Sequence, residues 1–252
     1  MNNLTALVLT YNEEDNIAAC LDSLMWVPKV VVIDSLSSDK TEEICLRYKN
    51  VSFFEREFDD FASQRNYGLE QVDTDWVLVV DADERITDPL QGEIKKILSN
   101  PEAEGYNIAR KNYFLGKWIK YCGWYPDYTL RLFKSVYRYQ GLVHETPEID
   151  GKIEKLDNDF IHYTYSNLKE YVSKMNQYTS LDAEKKYQKG KKIGVSYILV
   201  RPILEFVKKF FLKKGFLLGV QGLILSLLSS YYQFLKSIKL WELNNISEDE
   251  IK

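Results

Sequence analysis

Short, continuously apolar runs alternate with segments of helical spacing through the first hundred residues, and that alternation leaves few folds open. LTALVLT (4–10), KVVVIDS (29–35), VSFFERE (51–57) and WVLVVDA (76–82) read as strands. EEDNIAACLDSLMW (13–26), with Ile17, Leu21 and Leu24 on one face, SDKTEEICLRY (38–48) and FASQRNYGLEQ (61–71) read as helices between them. Strands apolar on both faces need cover on both faces, so the expected fold is α/β, a Rossmann-like, mainly parallel sheet between helices. Ligands of such sheets collect beyond the carboxyl ends of the strands. Those ends carry Thr10, Tyr11, Asn12 and Glu13, then Asp34 and Ser35, then Asp81, Ala82, Asp83 and Glu84.

From about 104 to 165 the pattern changes to aromatic-rich pieces with turn residues (GYNIARKNYFLGKW, TLRLFK, YRYQG, HETPEI, DFIHYTY), expected to add antiparallel or irregular structure. From 167 onward the spacing is helical, with Pro202 expected in the first turn of a helix. The expected organisation is a catalytic domain over 1–165, a basic helical region over 166–241 and an acidic tail over 242–252.

The net charge of −4 hides a division. Residues 1–168 hold 18 basic against 29 acidic side chains, whereas 169–240 hold 14 against 4. An acidic front argues against nucleic acid as partner. Three scattered cysteines, Cys20, Cys45 and Cys122, without a CxxC pair, exclude a cysteine zinc site and fit a reducing compartment. Met1–Asn3 lack a basic signal-peptide start, so a cytoplasmic protein is expected.

Asp81-Ala82-Asp83 at a strand end offers two carboxylates to a hard divalent cation, Mg²⁺ or Mn²⁺, with positions left for a phosphate. Such an ion would neutralise a diphosphate leaving group; the plainer alternative is a solvated acidic turn. VVIDSLSSDKT sets Asp34 before a Ser-rich helix start whose free N–H groups suit anions or ribose hydroxyls. Tyr11 offers a ring for stacking on a base, and Gln64, Arg65 and Asn66 precede the DxD strand within reach of a phosphate or sugar. Arg131 suits either a phosphate or a sheet carboxylate, and Trp118, Trp124 and Tyr125 either a sugar platform or core. Neither GxxxxGK[ST] nor GxGxxG occurs, which speaks against ATPases and dinucleotide enzymes.

LTYNEEDNI, VVVIDSLSSDKT, FASQRNYGLE and WVLVVDADE, in that order, resemble the inverting family-2 glycosyltransferases of GT-A fold. GWYPDYTLRLFK, GLVHETPE and the tail resemble the bacterial branch that includes lipopolysaccharide-core glucosyltransferases, so the likeness spans about 1–241. The resemblance implies that Thr10, Tyr11, Glu13 and Asp34 hold uracil and ribose, with Asp39 and Arg65 behind them. It implies that Asp81 contacts ribose or metal and that Asp83 binds the metal bridging the diphosphate. It also implies inversion, which needs a carboxylate base opposite the leaving group. Glu145 in VHE ranks ahead of Asp127 in GWYPDY, a surface ion pair being the alternative for each. His162 ranks ahead of His144 as an imidazole for the metal, a packed histidine being the plainer reading of both.

Residues 215–235 carry no charge, yet Gly222, Ser226, Ser229, Ser230, Gln233 and Ser237 make a small-and-polar stripe, so the helix reads as amphipathic. Upstream, Arg201, Glu205, Lys208, Lys209 and Lys213 form a mostly basic stripe opposite Ile203, Phe206, Phe210 and Phe211. Basic beside apolar fits a helix lying in an anionic membrane interface at the inner face of the cytoplasmic membrane; docking, a homodimer seam or a spanning hairpin are the alternatives. The expected reaction moves a hexosyl unit from a UDP-linked sugar to a glycolipid or polysaccharide precursor. Rivals are a polyprenyl-phosphate or protein acceptor, and a catalytically silent interaction protein.

Overall fold

The computed structural model describes residues 3–140, 146–165 and 167–246. These divide into two compact units, residues 1–111 with 126–163, and residues 112–125 with 164–252.

The first unit opens β1 (Leu4–Thr10), α1 (Ile17–Ser23), β2 (Lys29–Asp34), α2 (Thr41–Cys45), β3 (Val51–Glu55), α3 (Phe61–Glu70) and β4 (Trp76–Asp81). β1 lies between β2 and β4, parallel to both, and β3 continues the parallel set beside β2. β5 (Glu84–Ile86) and α4 (Asp88–Ser99) follow, then β6 (Gly105–Phe114), β7 (Lys117–Trp118), β8 (Tyr128–Lys134), β9 (Tyr139–Gln140), β10 (Thr146–Pro147) and β11 (Ile153–Tyr165). The sheet order is β3-β2-β1-β4-β8-β6-β11-β5, with β8 antiparallel to β4 and to β6. The chain thus forms the parallel half first and extends it with an antiparallel half, as the aromatic-rich stretch led one to expect.

Alternation with period 2 explains the unbroken apolar runs. Leu4, Ala6, Val8, Val30, Val32, Leu78 and Val80 pack to one side with Ile17, Leu21, Leu90 and Ile94, whereas Leu7, Val31, Ile33, Val77 and Val79 pack to the other with Ala62 and Leu69. Each buried Val, Leu or Ile among them contributes about 1.5–3 kcal/mol. α3 approaches the sheet closely because Gly68 has no side chain: a Cβ there would lie 2.4 Å from Leu7 Cδ1. The helix α4 was not anticipated by the sequence reading; Thr87 caps it, accepting from the Leu90 N–H, and Pro89 occupies its first turn.

α1 begins at Ile17 rather than at Glu13. Residues 13–16 instead make a turn in which Asn16 and Ile17 N–H donate to the Glu13 carbonyl at 2.9 and 2.8 Å.

In the second unit, β6 and β7 close a hairpin through Leu115 and Gly116, both at positive φ (47° and 75°), as a tight two-residue turn requires. The segment 112–125, placed with the catalytic domain in the sequence reading, packs here with the helices. Phe114, Ile119 and Cys122 share a core with Leu218 and Leu225. The helices are α5 (Leu168–Gln188), α6 (Val195–Val207) and α7 (Val220–Asn245). A π-helical turn (Lys208–Leu212) and a 3₁₀ turn (Gly215–Leu218) join the last two. Pro202 lies inside α6 and not in a first turn, because the helix already starts after Gly194.

Part of the small-and-polar stripe of α7 lies on its packed side: Gly222, Ser226 and Ser237 are buried, together with Leu225 and Leu240. Small residues there permit close approach, since a Cβ on Gly222 would sit 1.9 Å from the Gly215 carbonyl oxygen. The hydroxyls are satisfied internally, Ser226 donating to Gly222 O and Ser237 to Gln233 O, each at 2.7 Å, and Ser230 to Pro202 O at 2.8 Å. α7 also binds α5, with Tyr232 Oη donating to Asp182 at 2.7 Å. Among the described residues, no helix is long and apolar enough to cross a membrane.

Candidate active site

Sheet order brings the predicted residues to one edge, because β2, β1 and β4 are parallel neighbours and end together. Thr10 is registered against Asp34, and Leu9 against Asp81.

Two loops are laced across this edge. Asn12, at φ 53°, donates its N–H to Ser37 Oγ (2.8 Å), and its side chain accepts from Ser38 N–H (2.8 Å). Glu13 N–H donates to Thr41 Oγ1 at 2.9 Å, and Glu14 N–H to Asp39 at 3.0 Å. Burial alone would raise the Asp39 carboxyl, but hydrogen bonds from the Thr41 hydroxyl and the Glu14 and Thr41 N–H groups outweigh it and hold the carboxyl below its usual range. Asp39 and Glu13 therefore build the loop pair that frames the edge. Asp34 is buried and accepts from Ser37 at both oxygens, the N–H reaching Oδ1 at 2.8 Å and Oδ2 at 3.3 Å and the Oγ reaching Oδ2 at 2.6 Å. Oδ1, with the one bond, keeps a lone pair for a further donor. Thr10 is buried, and its Oγ1 has no hydrogen-bond partner among the described residues. Tyr11 is 60% exposed, its ring free for stacking.

The DxD turn is held from several directions. Arg131 on β8 donates to Asp81 Oδ2 at 2.5 Å and to Glu84 Oε1 at 2.6 Å, and Glu84 Oε2 accepts from the Asp81 N–H at 2.9 Å. Arg85 donates to the Ala82 carbonyl at 2.8 Å and to the Asn16 carbonyl at 2.9 Å. Arg65 Nη2 lies 3.7 Å from Asp81 Oδ1. Burial would raise Asp81, but Arg131 and then Arg65 override it and hold the carboxyl well below the usual range. Burial dominates at Glu84, whose carboxyl is pushed up to about 7 despite Arg131. Two carboxylates on one guanidinium titrate as a unit, the better solvated member ionised and the buried one raised. Arg131 thus takes the sheet-carboxylate alternative left open by the sequence.

Asp83, two residues after Asp81, points elsewhere: its Oδ2 is 3.3 Å from His162 Nε2 on β11, whose pairing with β5 sets His162 against Glu84. A carboxylate oxygen and an imidazole nitrogen suit Mg²⁺ or Mn²⁺ if phosphate and water oxygens fill the other positions. Among the described residues, no three His, Cys, Asp or Glu side chains converge on one point. Asp81 lies toward Arg131 rather than toward the Asp83–His162 pair.

Other candidates are placed differently. Gln64 is buried, donating to Ser35 Oγ and the Arg56 carbonyl at 3.0 Å each, and Asn66 clasps the Tyr139 backbone at 2.8 and 2.9 Å. Both hold structure rather than reach for a sugar. Asp127 pairs with Arg110, accepting from Nε at 2.9 Å with Nη2 at 2.6 Å. Glu145 and His144 lie outside the described residues. Trp124 meets Phe114 edge-on at 6.0 Å, and Trp118 meets Tyr125 at 5.5 Å. Arg85 is the neighbour that the sequence leaves unremarked, although DADER displays it beside the DxD pair, and Glu84, expected only as one of the strand-end residues, is the buried partner of Arg131.

A parallel β3-β2-β1-β4 half with a DxD turn at its carboxyl edge is the arrangement of a GT-A-like nucleotide-sugar transferase. The chain belongs to glycosyl transferase family 2, whose family model matches residues 5–145. The lipopolysaccharide core biosynthesis glycosyltransferase LpsC of Rhizobium meliloti is 26% identical over 253 residues, covering 95% of this chain and 92% of that one. The uncharacterized glycosyltransferase RT0209 of Rickettsia typhi is 27% identical, covering 100% and 91%. Among solved structures, the mannosyltransferase PcManGT from Pyrobaculum calidifontis, in complex with GDP-Man and Mn²⁺, superposes with a TM-score of 0.55 at 16% identity. It covers 94% of this chain and 86% of that one, a likeness of fold.

Proposed function

We propose that this glycosyltransferase moves a hexosyl unit, with inversion, from a UDP-linked sugar to a hydroxyl of a membrane-associated glycolipid or polysaccharide precursor, such as a lipopolysaccharide core. The observation that carries the donor half is the convergence of Asp34, Asp81 and Asp83 on one strand-end edge, with the exposed Tyr11 beside them. The full-length relationship to a lipopolysaccharide core biosynthesis enzyme supports the acceptor class.

In this reading Tyr11 stacks on uracil, and Thr10 and Asp34 take the base or ribose. Arg131 and Arg65 fix the Asp81 carboxylate toward the ribose. Asp83 and His162 are the residues that would hold Mg²⁺ or Mn²⁺, which when bound supplies Lewis-acid neutralisation of the diphosphate. Glu145, or failing it Asp127, takes the proton of the attacking hydroxyl, so that displacement proceeds from the face opposite the leaving group. The enzyme would work at the inner face of the cytoplasmic membrane, where a lipid-anchored acceptor is presented.

The test is transfer from UDP-glucose, UDP-galactose, UDP-N-acetylglucosamine and GDP-mannose to deacylated and intact lipopolysaccharide-core acceptors, with the product anomer read by NMR. A β-linked product from an α-linked UDP-sugar is expected. Transfer from GDP-mannose alone, or a retained anomer, would overturn the proposal.

A further inference from the structure

The helical unit turns its apolar side outward. α6 buries none of its residues. Leu199, Ile203 and Leu204 are 60%, 63% and 55% exposed. On α7 the outward stripe runs Val220, Leu223, Leu227, Tyr231 and Phe234, at spacings of 3 and 4, while Gly222, Leu225, Ser226, Ser237 and Leu240 face inward. Between these helices the π-helical and 3₁₀ turns expose Phe211, Leu212, Phe216 and Leu217. Phe210 holds this tip together, its ring 5.1 Å from Phe211 and 6.3 Å from Phe216. A helical layer bathed in water exposes few of its large apolar side chains; this one buries Leu225 and Leu240 with its serines on one side and still leaves a continuous apolar stripe exposed on the other.

The charge around the tip identifies what covers it. Lys208, Lys213 and Lys214 are exposed next to Phe211 and Leu212, and residues 169–240 hold 14 basic against 4 acidic side chains. A second copy seated here would bring like charge against like charge, which costs affinity. An anionic lipid surface instead accepts the lysines at its headgroups and the apolar side chains at its acyl boundary. We propose that the outward face of α6 and α7, with the Phe211–Leu212 tip, is a one-leaflet membrane-insertion surface selective for anionic lipid. This deepens, and rests on, the reading of a membrane-associated acceptor. No described helix is long and apolar enough to span, so the surface lies in the interface and does not cross it. Insertion reverses the amphipathic reading of α7: the apolar stripe enters lipid, and the small-and-polar stripe packs protein.

The experiment is flotation of the full chain with phosphatidylcholine vesicles containing 30% phosphatidylglycerol, against pure phosphatidylcholine, at 0.1 and 0.5 M NaCl. Wild type is compared with Phe211→Ser/Leu212→Ser and with Leu227→Ser/Tyr231→Ser, whose side chains are exposed and whose folding circular dichroism checks. UDP binding of each variant is measured in parallel. Wild type is expected to float with anionic vesicles, partly retaining binding at high salt. Each double variant should lose at least tenfold in partitioning while keeping UDP affinity. If wild type floats and both variants float equally, the surface is wrong while the membrane reading stands. If wild type does not float, both fail; sedimentation showing a dimer that the variants dissolve would assign the face to a second copy.

Discussion

Arg131 carries more of the site than its place in an aromatic-rich strand suggests. One buried guanidinium serves the DxD carboxylate Asp81 and the buried carboxylate Glu84. Arg131→Met leaves Glu84 without its guanidinium and Asp81 with only Arg65 at 3.7 Å, a loss expected to cost about 3–5 kcal/mol and seen as a lowered denaturant midpoint; an unchanged midpoint would contradict the pairing. Glu84 gives the site a pH signature. Its carboxyl is raised from 4.5 to about 7, so its contribution to stability is complete below pH 4.5 and is lost as pH rises through 7. Asp81 runs the other way, its contribution present above 3.8 and lost as pH falls below it, so between pH 5 and 8 only Glu84 changes. Wild type should therefore lose stability relative to Glu84→Gln across that range, by roughly 1.4 kcal/mol per unit of pKa separation, read from melts at each pH. For the base, Glu145→Gln is expected to retain UDP binding and lose turnover. A near-wild-type rate there, with Asp127→Asn inactive, would transfer the role to Asp127. The DxD pair is readable in the sequence because its members stand two positions apart at a strand end. Arg131 stood in the sequence with two possible partners, and only the β4–β8 pairing chooses between them across 47 residues.

The parallel strands announce themselves because burial on both faces demands unbroken apolar runs. The helices are less transparent. α1 starts late because Glu13 and Glu14 donate their N–H groups to the neighbouring loop, a use that helical spacing cannot reveal. α7 was correctly read as two-faced, but which face meets protein depends on closeness rather than hydrophobicity: only a glycine lets the 3₁₀ turn cross at Gly222. Gly222→Ala forces a methyl into the Gly215 carbonyl, and overpacking of this kind costs about 1–3 kcal/mol. A lowered thermal transition for the helical unit is expected. An unaltered melt would mean that the crossing is looser than 1.9 Å implies.

An acidic unit with a parallel sheet and a basic unit of helices divide the work on one chain, the first reading a nucleotide-sugar and the second offering apolar surface. The charge division was plain in the sequence, but the hairpin at 112–125 was not, since its Phe114 and Ile119 join helices that come a hundred residues later. The central claim is that the carboxylate edge binds a uridine diphosphate through a divalent cation at Asp83. Titration calorimetry of UDP, with GDP and ADP as controls, with and without Mn²⁺, on wild type and Asp83→Ala, tests it most directly. The account predicts UDP binding that needs Mn²⁺, exceeds that of GDP and ADP at least tenfold, and disappears in Asp83→Ala. Equal binding of all three nucleotides, or UDP binding indifferent to both the metal and Asp83, would contradict it.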